Sequence, residues 1–185
     1  MNKHDLRVVK TKNRIHAALG ELLRNKPLTR ITISELCREA SINRGTFYFH
    51  YQEIGDVFKE LFEEIMLDLK ESYYEPYRQT DILDVDKLDP NVVRIFHHVE
   101  KYQDFYKFIL SEEVSTKFYY MLFDEIRSFS IESGNTLKDA EFNGYLHSYV
   151  SNAIIGLIIE WYRNNFEESA DDMNVRLVNI VNSRR

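Results

Sequence analysis

The chain has 185 residues, enough to bury a proper core as one large domain or two small ones. Its composition is 44% hydrophobic, with three prolines and six glycines, which favours long helices over a turn-rich β fold. The net charge of −6 is unevenly spread: residues 1–51 carry ten Lys and Arg against four Asp and Glu, and residues 52–185 carry fourteen against twenty-six. A basic first third on an acidic remainder points to a localised nucleic-acid face, and the acidic part resists indiscriminate binding to phosphate. The sequence contains no long uncharged apolar run for a membrane span and no apolar h-region near Met1. Cys37 is the single cysteine and fits a reducing cytoplasm.

The first expected helix runs from about Lys10 to Arg24, with Ile15, Ala18, Leu19, Leu22 and Leu23 on one side. Lys10, Lys12 and Arg14 crowd its expected start, where cations oppose the helix dipole. That placement makes sense if phosphates sit nearby, although a solvated basic tail would look the same.

After Pro27, the run Thr32-Ile33-Ser34-Glu35 reads as a capping box opening a second helix to about Ala40. Cys37 falls on its apolar face. Ser41-Ile42 form the turn, with Ile42 as a plug for the small core, and Asn43 caps a third helix that ends in Phe47-Tyr48-Phe49-His50-Tyr51. Arg44, Gly45 and Thr46 stand at its exposed leading end. Arg44 can bridge a guanine edge and the Thr46 methyl can touch thymine. Gly45 is a weak helix former, so it marks either a close backbone approach to a groove or a tolerated weak spot. Phe47 is expected in the core. Tyr48 can place its polar tip on phosphate, while for His50 a structural hydrogen bond competes with a phosphate contact. No second ligand lies at i+3 or i+4 from His50, so no metal is expected there.

The stretches I-T-I-S-E-L-C-R-E-A and S-I-N-R-G-T-F-Y-F-H-Y, followed by a new helix near Gly55-Asp56, resemble the TetR family of bacterial transcription regulators over roughly residues 8–60. The resemblance implies an all-α fold: a three-helix helix-turn-helix reading domain over 1–54, then a helical ligand-sensing and dimerisation bundle over 55–185. It also implies a homodimer on palindromic double-stranded DNA. Carried over by position, Thr32 would touch phosphate, Asn43, Arg44, Gly45 and Thr46 would face the bases, and Tyr48 and His50 would hold the backbone. The chain departs from the family pattern at Ile54, where many members have a phosphate-contacting lysine, and at Ser41, where glycine is common.

Five or six further helices are expected. One runs from Asp56 to Tyr74 with Val57, Leu61, Ile65 and Leu69 at i, i+4 steps, followed by a polar loop over 75–90. Pro90 opens a helix to about Lys101, and others cover Gln103–Leu110 and Val114–Glu132, the latter broken at Ser133-Gly134-Asn135. The longest covers about Leu137–Phe166 and a last one carries Met173, Leu177, Val178 and Val181. The broad apolar face of the long helix exceeds what one neighbour covers. The resemblance assigns these two helices to a four-helix dimer interface holding Tyr149, Ala153, Gly156, Leu157, Leu177 and Val181; a monomeric core pair is the alternative.

An apolar or aromatic effector is expected, with His97, Tyr102, Tyr119, Tyr120, Phe123 and Trp161 as candidate pocket residues, though aromatics at helical spacing also serve as plain core. His97 and His98 are adjacent and cannot share a helix face, so no metal or other cofactor is expected. The sequence contains no phosphate loop, nucleophile motif or metal-ligand spacing, which argues against an enzyme. The reading is a ligand-responsive repressor; an activator or coactivator answering to a protein partner is the alternative.

Overall fold

The computed structural model describes residues 3–75, 89–111, 116–132 and 143–183, and among these all regular structure is helical. The chain divides into two compact units, Met1–Ile65 and Met66–Arg185, with the division inside one long helix.

The first unit opens with α1, Lys3–Leu23, which buries Ile15, Ala18, Leu19 and Leu23. It begins seven residues before the expected start, because Leu6-Arg7-Val8-Val9 contains nothing that breaks a helix. Lys10, Lys12 and Arg14 are therefore mid-helix, and the argument from the dipole at its start does not apply to them. After a 3-10 turn at Leu28–Arg30 comes α2, Ile33–Glu39, opened by the expected capping box: Thr32 Oγ1 accepts from the Glu35 amide and Glu35 accepts from the Thr32 amide. Lys26 and then Thr32 bond the Glu35 carboxylate and lower its pKa to about 2.

The α2 terminus shows why glycine is common at position 41. Ser41 adopts φ 51, its amide donates to the Arg38 carbonyl, and the Ile42 amide donates to the Cys37 carbonyl. This is the left-handed stop that glycine takes without strain. Arg14 donates to the Ser41 carbonyl at 2.7 Å and helps hold the turn. Ile42 remains half-exposed, so it caps the turn instead of plugging the core. Helix α3, Arg44–His50, follows with Asn43 as its cap and Phe47 fully buried. Burying that ring contributes about 2–3 kcal/mol.

Helix α4, Ile54–Tyr74, starts at Asp56's capping carboxylate, which accepts from the Gln52 and Glu53 amides. Its first part buries Val57, Phe58, Phe62 and Ile65 in the first unit; its second part buries Met66, Leu69 and Tyr73 in the second unit.

In the second unit the helix expected from Pro90 to Lys101 is two pieces. A 3-10 turn, Pro90–Val92, is followed by extended Val93 and then α5, Ile95–Lys101. Asn174 donates its side-chain amide to the Val93 carbonyl, so the break is fixed by a tertiary bond that periodicity cannot foresee. Helix α6 covers Gln103–Ile109 and α7 covers Thr116–Glu132. The loop expected over 75–90 and the break at 133–135 lie largely or wholly outside the described residues.

Helix α8, Asn143–Arg163, packs on α7, and α9, Ala170–Asn182, packs on α5. Helix α8 ends three residues before Phe166. Asn165 and Phe166 both have positive φ, the Phe166 amide donates to the Trp161 carbonyl, and the Phe166 ring lies 5.1 Å from Trp161. The apolar residue that fits the helical period is thus the clasp that terminates it. Ser169 and Asp172 form a second capping box at the start of α9.

Candidate nucleic-acid interface

The α2–turn–α3 segment presents one polar face. Phe47 anchors α3 to the core, which leaves Arg44, Gly45, Tyr48 and Phe49 exposed and Thr46 half-exposed. Arg44 is already oriented: its guanidinium donates to Ser34 Oγ at 3.3 Å and to Tyr48 Oη at 3.1 Å, and sits 5.8 Å from the Tyr48 ring centre. Asn43 Oδ1 accepts from the Thr46 amide and hydroxyl at 2.7 and 3.0 Å, so its oxygen is engaged in the cap and its side-chain amide is the group left for a base. A Cβ on Gly45 would meet that same oxygen at 3.3 Å. Glycine therefore keeps both the cap and a bare patch of backbone at the front of the helix.

Thr32 is exposed with its hydroxyl in the α2 capping box. Lys10 is exposed, whereas the Lys12 ammonium bonds both Glu60 carboxylate oxygens at 2.8 and 2.9 Å. His50 is half-buried; burial and then nearby Lys12 lower its pKa. Ile54 is half-exposed at the first position of α4. Cys37 is buried and its thiol pKa is raised by that burial, as suits an inert core thiol.

Two residues of this unit had no expected role. Phe49 is 71% exposed on the front of α3, edge-on to His50. His16 is 5% exposed, with Nδ1 3.0 Å from Glu64 Oε2 and Nε2 3.1 Å from Tyr51 Oη. The signal for His16 was its place on the Ile15–Leu19 stripe, where an imidazole needs polar partners.

The candidate effector residues do not converge. Trp161 is packed in the core, donating its indole N–H to the Glu168 carbonyl. Tyr119 bonds Asn152, Tyr120 is 58% exposed, and Phe123 is half-buried on the same helix. His97 lines an open cleft of about 300 Å³ with Asp68, Arg94, His98 and Lys101 among its other walls. The Tyr102 ring lies tilted against His98, with ring centres 4.8 Å apart. His98 Nδ1 lies 2.7 Å from Asp68 Oδ2 and its Nε2 3.1 Å from Tyr106 Oη. His97 faces Asp171 and His147 faces Ser130.

The expected dimer residues divide α8 lengthwise. Ile154, Ile155, Ile158 and Trp161 are buried, while Tyr145 at 81%, Tyr149 at 50%, Ala153 and Gly156 are exposed. A Cβ on Gly156 would meet nothing within 4 Å. Leu157, Leu177 and Val181 are half-exposed.

Residues 86–183 match the TetR-type family model described as a transcriptional regulator C-terminal region. The match spans more than half of the chain, and the chain belongs to the TetR family of transcriptional regulators. It is 19% identical over 172 residues to the uncharacterized HTH-type transcriptional regulator YxbF of Bacillus subtilis (strain 168), covering 92% of this chain and 44% of that protein. This chain therefore spans less than half the length of that relative. Two solved structures share the fold. The dihydroxyacetone kinase operon activator DhaS superposes with a TM-score of 0.67 at 16% identity, over 94% of this chain and 95% of its own. A transcriptional regulator of the TetR/AcrR type from Aquifex aeolicus VF5 gives 0.61 at 18% identity, over 91% and 95%. No helix among the described residues is long and apolar enough to cross a membrane.

Proposed function

We propose that this regulator binds palindromic double-stranded DNA as a homodimer, reading the major groove with Asn43, Arg44, Gly45 and Thr46, and holding phosphates with Thr32, Tyr48 and Lys10. The carrying observation is the front of α3: a guanidinium oriented by Ser34 and Tyr48 beside a bare Gly45 backbone, over a ring locked in the core. Lys12 belongs to a supporting role in this reading, since Glu60 holds it. The homodimer rests on the exposed stripe of α8, Tyr145, Tyr149, Ala153 and Gly156, whose small residues would let a second helix approach closely. Two reading heads would then meet successive major grooves about one DNA turn apart.

Regulation in this reading is a population shift: an effector that prefers a dimer with mismatched head spacing lowers operator occupancy, and where the operator overlaps the promoter that release lifts repression. The charged side chains around the cleft beside His97 favour an effector that carries a polar group over the wholly apolar one expected from the sequence. A second reading, an activator, is favoured by one likeness: DhaS is named as an operon activator. A fall, instead of a rise, in transcription from the operator when the protein is deleted would select it.

The test is selection from a random-sequence duplex pool in physiological buffer. Enrichment of a palindrome is expected, and Arg44→Ala should weaken binding about 10–100-fold and relax preference at one base pair per half-site. Failure of the purified, folded dimer to enrich any sequence would overturn the reading.

A further inference from the structure

We infer that His16, Glu60 and Glu64 form a divalent metal site of the zinc class, clamping α1 to the first part of α4. The three side chains offer one imidazole nitrogen and two carboxylate oxygens, all within 4.8 Å of one another. All three lie within the first unit. The inference does not depend on what that unit binds.

The geometry is close to what a tetrahedral ion needs. Ligand bonds of about 2.0–2.1 Å place neighbouring ligand atoms about 3.3 Å apart. His16 Nδ1 and Glu64 Oε2 are 3.0 Å apart, so an ion needs only a small adjustment to sit against both. Glu60 lies on the same side of α4 as Glu64, four residues earlier, and its flexible carboxylate closes the third corner. Water completes the fourth.

His16 is also held as a metal-binding imidazole is usually held. Its other nitrogen, Nε2, lies 3.1 Å from Tyr51 Oη; with an ion between Nδ1 and Glu64 in place of their hydrogen bond, the ring proton sits on Nε2 against that hydroxyl and the Nδ1 lone pair faces the metal. Tyr51 in turn bonds Glu60, so one buried phenol orients two of the three ligands. Imidazole with carboxylates selects zinc, cobalt or nickel over magnesium and calcium, which prefer all-oxygen shells.

The Lys12 ammonium already shows that this place attracts cations, gripping both Glu60 oxygens. It is the competitor for the site. Lys12 is about a third exposed and can swing into solvent when an ion arrives, at the modest cost of a part-exposed ion pair.

The experiment is calorimetric titration of the intact chain with ZnCl2, with CoCl2 absorption spectra as a reporter of tetrahedral nitrogen–oxygen ligation. One ion per chain is expected. Glu64→Gln and His16→Gln should each weaken binding at least about tenfold. Lys12→Met should tighten it, an outcome that adventitious binding at another histidine would not produce. Glu64 is exposed enough for its amide variant to fold, so it carries the test if the His16 variant does not. Absence of stoichiometric zinc binding, or binding that Glu64→Gln leaves unchanged, would overturn the inference.

Discussion

Each unit of this molecule contains a buried histidine set between an α4 carboxylate and a tyrosine hydroxyl. In the first, His16 lies between Glu64 and Tyr51; in the second, His98 lies between Asp68 and Tyr106. The surrounding charge differs. Asp68 is shared by His98 and Lys101, one carboxylate for an imidazole and an ammonium. Around His16 there are two carboxylates, Glu60 and Glu64, with Lys12 on the first. The same local design is thus charge-balanced in one unit and rich in carboxylate in the other. The balanced version is a structural tie, and the carboxylate-rich one is where we place a cation, in exchange for Lys12.

The largest effect that would sharpen this contrast is in pH. Burial lowers the His98 pKa from 6.5 to about 4, against the opposing hydrogen bond that Asp68 accepts from it. As pH falls below 6.5 the unfolded chain takes up a proton that the folded chain refuses until about pH 4. Stability from this group is therefore complete above pH 6.5 and is lost progressively down to pH 4, by roughly 3 kcal/mol in all. Asp68 does not offset it: burial raises its pKa, but Lys101 and His98 outweigh that and keep it below 3.8. Urea unfolding at pH 7 and pH 4.5 should show wild type losing more stability than His98→Gln. Equal losses in the two proteins would mean that His98 is not the tie described.

Next come the two hydroxyls. Tyr106→Phe and Tyr51→Phe each remove a partner from a buried imidazole, and each should destabilise by about 1–3 kcal/mol. Zinc separates them: if the first unit holds an ion, Tyr51→Phe loosens zinc about 10–100-fold and Tyr106→Phe leaves it unchanged. Equal sensitivity to zinc in both variants would erase the contrast.

The smallest effect compares the helix stops. Ser41 and Asn165 both have φ 51. Asparagine tolerates that region better than serine, so Ser41→Gly should stabilise by about 1 kcal/mol and Asn165→Gly by less. Thermal melts of the two variants in one buffer decide it. A larger gain at position 165 would show that the Arg14 bond to the Ser41 carbonyl had already relieved the strain.

Much of this architecture was legible in the chain itself. The stripes of α1, α4 and α8, the Thr32–Glu35 box and the Asn43 cap are local patterns, carried by neighbours three or four residues apart. The ends of helices were less legible where tertiary bonds set them, as at Val93, held by Asn174, and at Phe166, folded back on Trp161. The front of α3 could be named residue by residue because a cap, a buried ring and an exposed face all lie within seven positions. The His16 cluster could not, because its side chains come from helices more than forty residues apart, and the i, i+4 pair Glu60 and Glu64 signals nothing alone. The effector residues were least legible: aromatic spacing looks the same for core as for a pocket, and Trp161 proved to be core.

Phe49 carries a consequence for ionic strength. A ring 71% exposed, edge-on to His50, stands where the proposed operator would lie. Pressing such a ring on a sugar or a thymine methyl displaces water, whereas lysine and arginine displace counterions. The second contribution fades as salt accumulates and the first does not. If the operator does lie there, a regulator with this ring on its reading helix would keep part of its grip on DNA in a cell whose salt content swings.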